Sequence, residues 1–479
     1  MKLKRIYAFA AAVMSVSFIT LPKAKALSFP LKNTINSESA IVINLDVDTV
    51  IHEKKADEKQ MPGQLVDIMT AVVALENCSN INEEVTVHQD IYSYLNEAEY
   101  KDDVCWCDIQ DGDVLTVTDL LYAMMLTSSM EAAETIAYHV GDGNKDSFIK
   151  MMNDKADEIG MENTHFTNAT GMYDPNQYTT ARDMAKLTEY ALSVPLFETI
   201  ATTFKYNPSV PNVDRHKSHE DWIWTHSNGM MDPQSGDYYS GVKGLKTSHL
   251  ETAGRNVITM ASKDGNKYLL VLLKSPLTDP DGNTAYYHFG DCKILFDWAF
   301  KHFSYQTVLA NTAEVGELPV KLADGNEYVL AKPRDEISLL WYDEVDTSTI
   351  SKDKIVWYKN ELQAPVTKGE PLGKVTLEYS GEELGTVELV AVSNVDRSVS
   401  KYNLYAAKMF TKSSWFNKAI LISCLLCALY IILCIYSYVV FKSKAKPMKP
   451  VYAVPKVDKK KAPAQQKKKP VKRNEPPRK

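Results

Sequence analysis

The stretch GMENTHFTNATGMYDPNQYTTARDMAKL, residues 160–187, is the most distinctive in the chain. It begins where one amphipathic helical pattern ends (residues 148–159) and closes inside a second (residues 181–192). Working upstream, LVDIMTAVVALE (65–76) repeats apolar residues at helical spacing after Pro62 and predicts a buried helix. A second core helix is expected over 117–138, opened by the N-cap-like Thr118 with Leu120, Leu121, Met124 and Met125 behind it. Further up, IVINLDVDTV (41–50) is β-branched and partly alternating, and reads as one strand. Downstream come strands, among them 257–261 and 268–273, and then a long helix near 291–303. The expected unit is a large α+β domain over 28–303. From 305 to 394 short β-type runs alternate with Gly, Asp, Asn and Pro turns, which predicts a small all-β domain.

The ends differ from the body in charge. The net charge is -7. Residues 442–479 hold fifteen Lys/Arg against Asp458 and Glu475, a balance of +13, and the first 26 residues add +5. The stretch between therefore sits at -25. A body this acidic is a poor partner for a phosphate backbone, so no nucleic acid is expected. Lys2, Lys4 and Arg5, the apolar run 6–21 and Ala24-Lys25-Ala26 make a signal peptide over 1–26. Residues 419–441 carry no charge, and a helix of that length spans about 34 Å, enough for one transmembrane helix. Trp415 and Phe416 sit at the expected interface. Residues 395–418 read as a linker, and 442–479 as a basic, disordered tail held on the cytoplasmic side of a cell membrane. The body is then outside. There Cys78, Cys105, Cys107 and Cys292 are available for disulfides in any of three pairings. Neither these cysteines nor His88, His165, His226 and His249 are spaced as metal ligands, and no metal or cofactor is expected.

Residues 160–187 resemble a signature of the serine D-alanyl-D-alanine carboxypeptidases, the low-molecular-mass penicillin-binding proteins. So do Gly241-Val-Lys-Gly-Leu-Lys-Thr and Thr252-Ala253-Gly254. The resemblance covers about 41–392, β module included. It implies a penicillin-binding/β-lactamase-like transpeptidase domain and an activity on peptidoglycan stem peptides. That chemistry uses three motifs. In S-x-x-K, serine and lysine share a helix face, so that the amine deprotonates the attacking hydroxyl. S-x-N supplies a proton relay and an amide. K-T-G supplies a cation for the substrate carboxylate and a small residue for close approach.

This chain departs from all three. Where the family has a run like P-A-S-L-T-K, it reads PGQLVD, placing Gln64 at the nucleophile and Asp67 at the base. The second motif is Ser128-Ser129-Met130, with a thioether for the amide. The third is Lys246-Thr247-Ser248, with Gly enlarged to Ser. No serine upstream of Ser128 has a lysine three residues on, and Pro62, Met69-Thr70 and Glu76 fix the register at Gln64. An amide forms no acyl ester, and losing a serine nucleophile costs about 10⁶-fold in turnover. Two rescue routes stay open: attack by Ser128 or Ser129 with Lys246 as base, and water activated by Asp67.

Three readings result. The first is a membrane-anchored pseudoenzyme whose Ser128, Lys246, Thr247 and Ser248 still bind a stem peptide, or which scaffolds wall synthesis beside cell-wall synthesis proteins. The second is an active carboxypeptidase with an unusual nucleophile or water. The third is a structural, protein-binding ectodomain.

Overall fold

A computed structural model describes residues 29–97, 101–208 and 222–444 of the 479. The signal-peptide segment 1–26 and the tail from 445 onward lie outside the described residues. The chain divides into two compact units, Met1–Arg397 and Ser398–Lys479.

The first unit opens with β1 (Ser39–Asn44) and β2 (Thr49–Lys54). These two correct the expectation of a single strand over 41–50. Asn44 Oδ1 accepts the backbone N–H groups of Asp46 (3.0 Å) and Val47 (3.2 Å), closing a turn that folds the run into a hairpin. A 3₁₀ turn (Gly63–Val66) leads into α1 (Asp67–Asn77), followed by β3 (Glu84–Thr86), α2 (Asp90–Glu97) and β4 (Val114–Thr116).

The helix expected over 117–138 is two helices, α3 (Val117–Thr127) and α4 (Met130–Val140). Its N-cap is Thr116, which forms a capping box with Asp119. The break falls at Ser128, left-handed at φ +63°, and Ser129 Oγ starts α4 by accepting the Ala132 N–H. Next come α5 (Lys145–Glu158), α6 (Ala181–Ser193), α7 (Phe197–Ala201) and the short pair β5 (Lys205–Tyr206) and β6 (Trp224–Thr225). Strands β7 (Val242–Leu250), β8 (Gly254–Lys263) and β9 (Asn266–Ser275) precede α8 (Tyr287–His302).

The main sheet has the order β2-β1-β9-β8-β7, antiparallel throughout, with β7 at one edge. Period-two alternation sends Ile41, Ile43, Leu269, Val271 and Leu273 to one face, where they join α1 and α3–α6 in one core. Ala40, Val42, Leu270 and Leu272 face the other way, toward Leu295 and Phe296 of α8. Burial on both faces explains why YLLVLL in β9 is an unbroken apolar run in an antiparallel sheet.

The second core runs on into the β module. Its strands are β10 (Phe303–Leu309), β11 (Gly316–Lys321), β12 (Tyr328–Pro333), β13 (Ile337–Tyr342), β14 (Ser351–Trp357), β15 (Leu362–Gln363), β16 (Pro371–Tyr379) and β17 (Glu382–Ala391). Phe303, Trp341, Val375 and Leu389 lie in the same buried cluster as the α8 side chains.

In the second unit, α9 (Val399–Lys412) and α10 (Ser414–Lys444) replace the expected linker with helix. α10 is long and apolar enough to cross a membrane, at about 46 Å for its 31 residues.

Candidate active site

The turn that carries Gln64 is fixed by the 160–187 segment. Gly171 has φ +78°, and a Cβ there would lie 2.0 Å from the Gly63 carbonyl oxygen, so only glycine lets the two backbones meet. Thr70 Oγ1 donates to Ala169 O at 2.8 Å, and Gln60 and Thr179 exchange backbone hydrogen bonds at 2.7 and 2.9 Å. The distinctive sequence is thus a brace behind the first motif.

Gln64 is fully buried in the 3₁₀ turn that leads into α1. Its backbone N–H donates to Ser248 Oγ (3.0 Å), and Ser248 Oγ donates to Gln64 Oε1 (2.6 Å). The amide Nε2 lies 3.7 Å from Cys105 Sγ. Gly63, at φ +53°, also makes room for this serine, since a Cβ there would stand 2.2 Å from Ser248 Oγ. In acyl transfer the backbone N–H at the nucleophile position is a natural oxyanion donor. Here that N–H is already engaged by the Ser248 hydroxyl, at the position where the resemblance implies glycine.

One turn further, Asp67 meets Lys246. The Lys246 ammonium is completely buried, 2.8 Å from Asp67 Oδ2. It also donates to Met124 O (2.7 Å), Met125 O (3.3 Å) and Ser128 Oγ (2.9 Å). The cation expected to hold a substrate carboxylate is enclosed by four oxygens of its own chain. The Asp67 contact is short but poorly aligned, and neither carboxylate oxygen makes a well-formed hydrogen bond among the described residues. Burial therefore dominates and raises the Asp67 pKa to about 7, against the pull of Lys246. Burial also pushes His226 down to about 4, helped by the Lys246 charge. His226 Nδ1 accepts the Asn228 N–H (3.0 Å), which leaves Nε2 to donate to Ala201 O (3.2 Å).

The remaining motif residues complete the cluster. Ser128 is nearly buried at the break between α3 and α4. Met130, buried at the position where the resemblance implies an amide, packs in a small apolar cluster with Met172, Leu250 and Ala253, and its N–H donates to Cys105 O (3.0 Å). Ser129 Oγ donates to Glu131 Oε2 (2.7 Å), so it is a cap and lies outside the Lys246 network. Thr247 Oγ1 is 2.6 Å from Ser227 Oγ. The structure thus brings Gln64, Asp67, Ser128, Lys246, Thr247 and Ser248 together.

Sequence reasoning missed Cys105 and Ser227. It also missed that Asp67 and Ser248 are partners of Lys246 and Gln64. The signal for the first pair was there: a lysine exchanged for an acid while Lys246 remained. None of Cys78, Cys105, Cys107 and Cys292 is disulfide-bonded, and burial raises the Cys105 thiol pKa to about 11.

The fold and these motifs define a penicillin-binding-type domain followed by a small β domain. Residues 23–276 match the family model described as D-alanyl-D-alanine carboxypeptidase, and 303–397 match the penicillin-binding protein 5 C-terminal domain. The chain belongs to the D-alanyl-D-alanine carboxypeptidase family, that of the low-molecular-mass penicillin-binding proteins. It is 23% identical over 366 residues to the carboxypeptidase DacF of Bacillus subtilis, covering 76% of this chain and 86% of that one. It is 28% identical over 250 residues to the D-alanyl-D-alanine carboxypeptidase of Streptomyces sp. K15, covering 51% and 82%. Among solved structures, penicillin-binding protein 5 of Haemophilus influenzae aligns with TM-score 0.53 at 21% identity, over 78% of this chain and 100% of that one. The carboxypeptidase DacD of Francisella tularensis aligns with TM-score 0.55 at 18% identity, over 78% and 97%. These two establish likeness of fold.

Proposed function

We propose that this chain is a non-acylating member of its family, held to the membrane by α10 with its folded body on the outer side. There it acts in cell-wall metabolism by binding stem peptide or scaffolding the synthesis proteins. One observation carries the reading. The residue at the nucleophile position is an amide whose own N–H is taken by Ser248 Oγ, while Lys246 is closed off by Asp67 and Ser128. Nucleophile, oxyanion donor and carboxylate anchor are thus lost together. β7 is an edge strand of its sheet, the kind of element along which an extended peptide pairs by main-chain hydrogen bonds. That favours binding without charge capture.

The test is fluorescent penicillin labelling of the full chain in detergent, alongside assay of D-alanine release from pentapeptide. No covalent band and no release are expected; either one overturns the reading. A second reading has one favourable contact, Ser128 Oγ at 2.9 Å from Lys246 Nζ, which places a hydroxyl beside an amine. It predicts release that Ser128→Ala abolishes.

A further inference from the structure

Away from the cleft, three unlike donor side chains converge where two helices end. Cys78 is the C-cap residue of α1, and its N–H closes the helix on Ala74 O at 2.9 Å. His139 lies in the last turn of α4. Glu83 stands just before β3, at the end of a short loop. The Cys78 sulfur, a Glu83 carboxylate oxygen and a His139 ring nitrogen all lie within 4.8 Å of one another. His139 Nε2 is 3.0 Å from Glu83 Oε1.

We propose that Cys78, Glu83 and His139 form a binding site for a divalent transition metal of the zinc type, with a fourth position open to water. This goes beyond the reading of the cleft and does not depend on it.

Four features support it. First, bonds of about 2.0–2.3 Å from a tetrahedral ion set donor-to-donor distances of about 3.3–3.8 Å, so closing the site needs only side-chain adjustment. Second, the loop is already built. Glu83 N–H donates to Asn80 O (3.0 Å), Glu83 O accepts the Val117 N–H (3.2 Å), and Thr118 Oγ1 donates to Ile81 O (2.9 Å). Third, the ends of α1 and α4 present the negative poles of two helices to the same place, which favours a cation. Fourth, the charges cancel: a thiolate, a carboxylate and a neutral imidazole balance a 2+ ion in a half-buried setting.

On binding, the Cys78 S–H bond breaks and its proton leaves to solvent, while the sulfur lone pair forms the metal–sulfur bond. Burial and the Glu83 charge raise the pKa of that thiol to about 11, so the site without an ion holds the proton. The donor set of sulfur, nitrogen and oxygen suits zinc better than calcium or magnesium, which take oxygen alone. The competing account is an ordinary His139–Glu83 ion pair beside an inert thiol.

The experiment is titration of the full chain in detergent with Co²⁺ alone, followed by Zn²⁺ alone as competitor. One equivalent of Co²⁺ is expected to give a sulfur-to-cobalt charge-transfer band, which one equivalent of Zn²⁺ bleaches. Cys78→Ser should remove the band, and His139→Gln should weaken Co²⁺ binding by about 100-fold or more. The double variant Cys105→Ser/Cys107→Ser should keep the band. If Cys78→Ser fails to fold, the His139→Gln titration decides alone. A wild-type chain without the band overturns the site, as does a band that survives Cys78→Ser or an affinity unmoved by His139→Gln.

Discussion

Two backbone segments that touch each other have gone different ways in this molecule. Residues 160–187 keep the family's pattern and do a mechanical task, pressing Gly171 onto Gly63 and tying Thr179 to Gln60. The turn they brace carries Gln64 and Asp67 where the resemblance implies a serine and a lysine. The comparison teaches that the scaffold behind a nucleophile and the nucleophile itself answer to separate physical demands. Backbone contact needs small residues and matched hydrogen bonds. Acylation needs a hydroxyl, a free base and an open oxyanion donor.

The strongest way to break the comparison is to return the chemistry to the braced turn. Gln64→Ser, Asp67→Lys, Met130→Asn and Ser248→Gly together restore the three motifs. A penicillin adduct on the introduced serine is then expected, with none expected on the native chain, against a typical nucleophile effect of about 10⁶-fold. If mass spectrometry finds no adduct on a folded quadruple variant, the brace and the chemistry are not separable.

Next in size is a strike at the brace. Gly171→Ala places a methyl against the Gly63 carbonyl at positive φ, and should cost about 4 kcal/mol in urea unfolding. Within the cleft, Lys246→Met removes the partner of a buried carboxylate and three donated hydrogen bonds, and should cost about 3 kcal/mol at pH 7. Adding Asp67→Leu should recover most of that loss, because a buried pair is often replaced by apolar residues at little cost. Additive losses in the double-variant cycle would mean the two side chains act independently.

A separate effect, spread over several pH units, is in pH. The folded Asp67 binds its proton more tightly than an ordinary carboxyl does, with a pKa of about 7. Its contribution to stability is therefore complete below about pH 4 and fades as pH rises to about 7. Asp67→Asn should remove this decline, at most about 1.4 kcal/mol per pH unit, when unfolding is followed across that window. An unchanged slope in Asp67→Asn would assign the decline to other groups.

Much of this was legible in the sequence, and the failures have local causes. The buried helix after Pro62 carries helical spacing, β8 and β9 carry apolar β-type runs, and the all-β module carries short β-type runs between turns; each formed. The α3–α4 pair reads as one helix because the apolar spacing runs straight through the break. No glycine or proline marks it, and Ser128 adopts the left-handed conformation without one. The 41–50 hairpin reads as one strand because its turn depends on the Asn44 side chain. Asp67 and Ser248 were recognised as replacements but not as partners. Their contacts join residues 179 and 184 positions apart, which no local pattern encodes.

The main sheet carries one further consequence. One face belongs to the helical lobe, while the other shares a core with α8 and the β module. It is a party wall between two rooms, and neither can be emptied while the other stands. Calorimetry should accordingly record a single melting event for the folded body, with no separate early step for the β module.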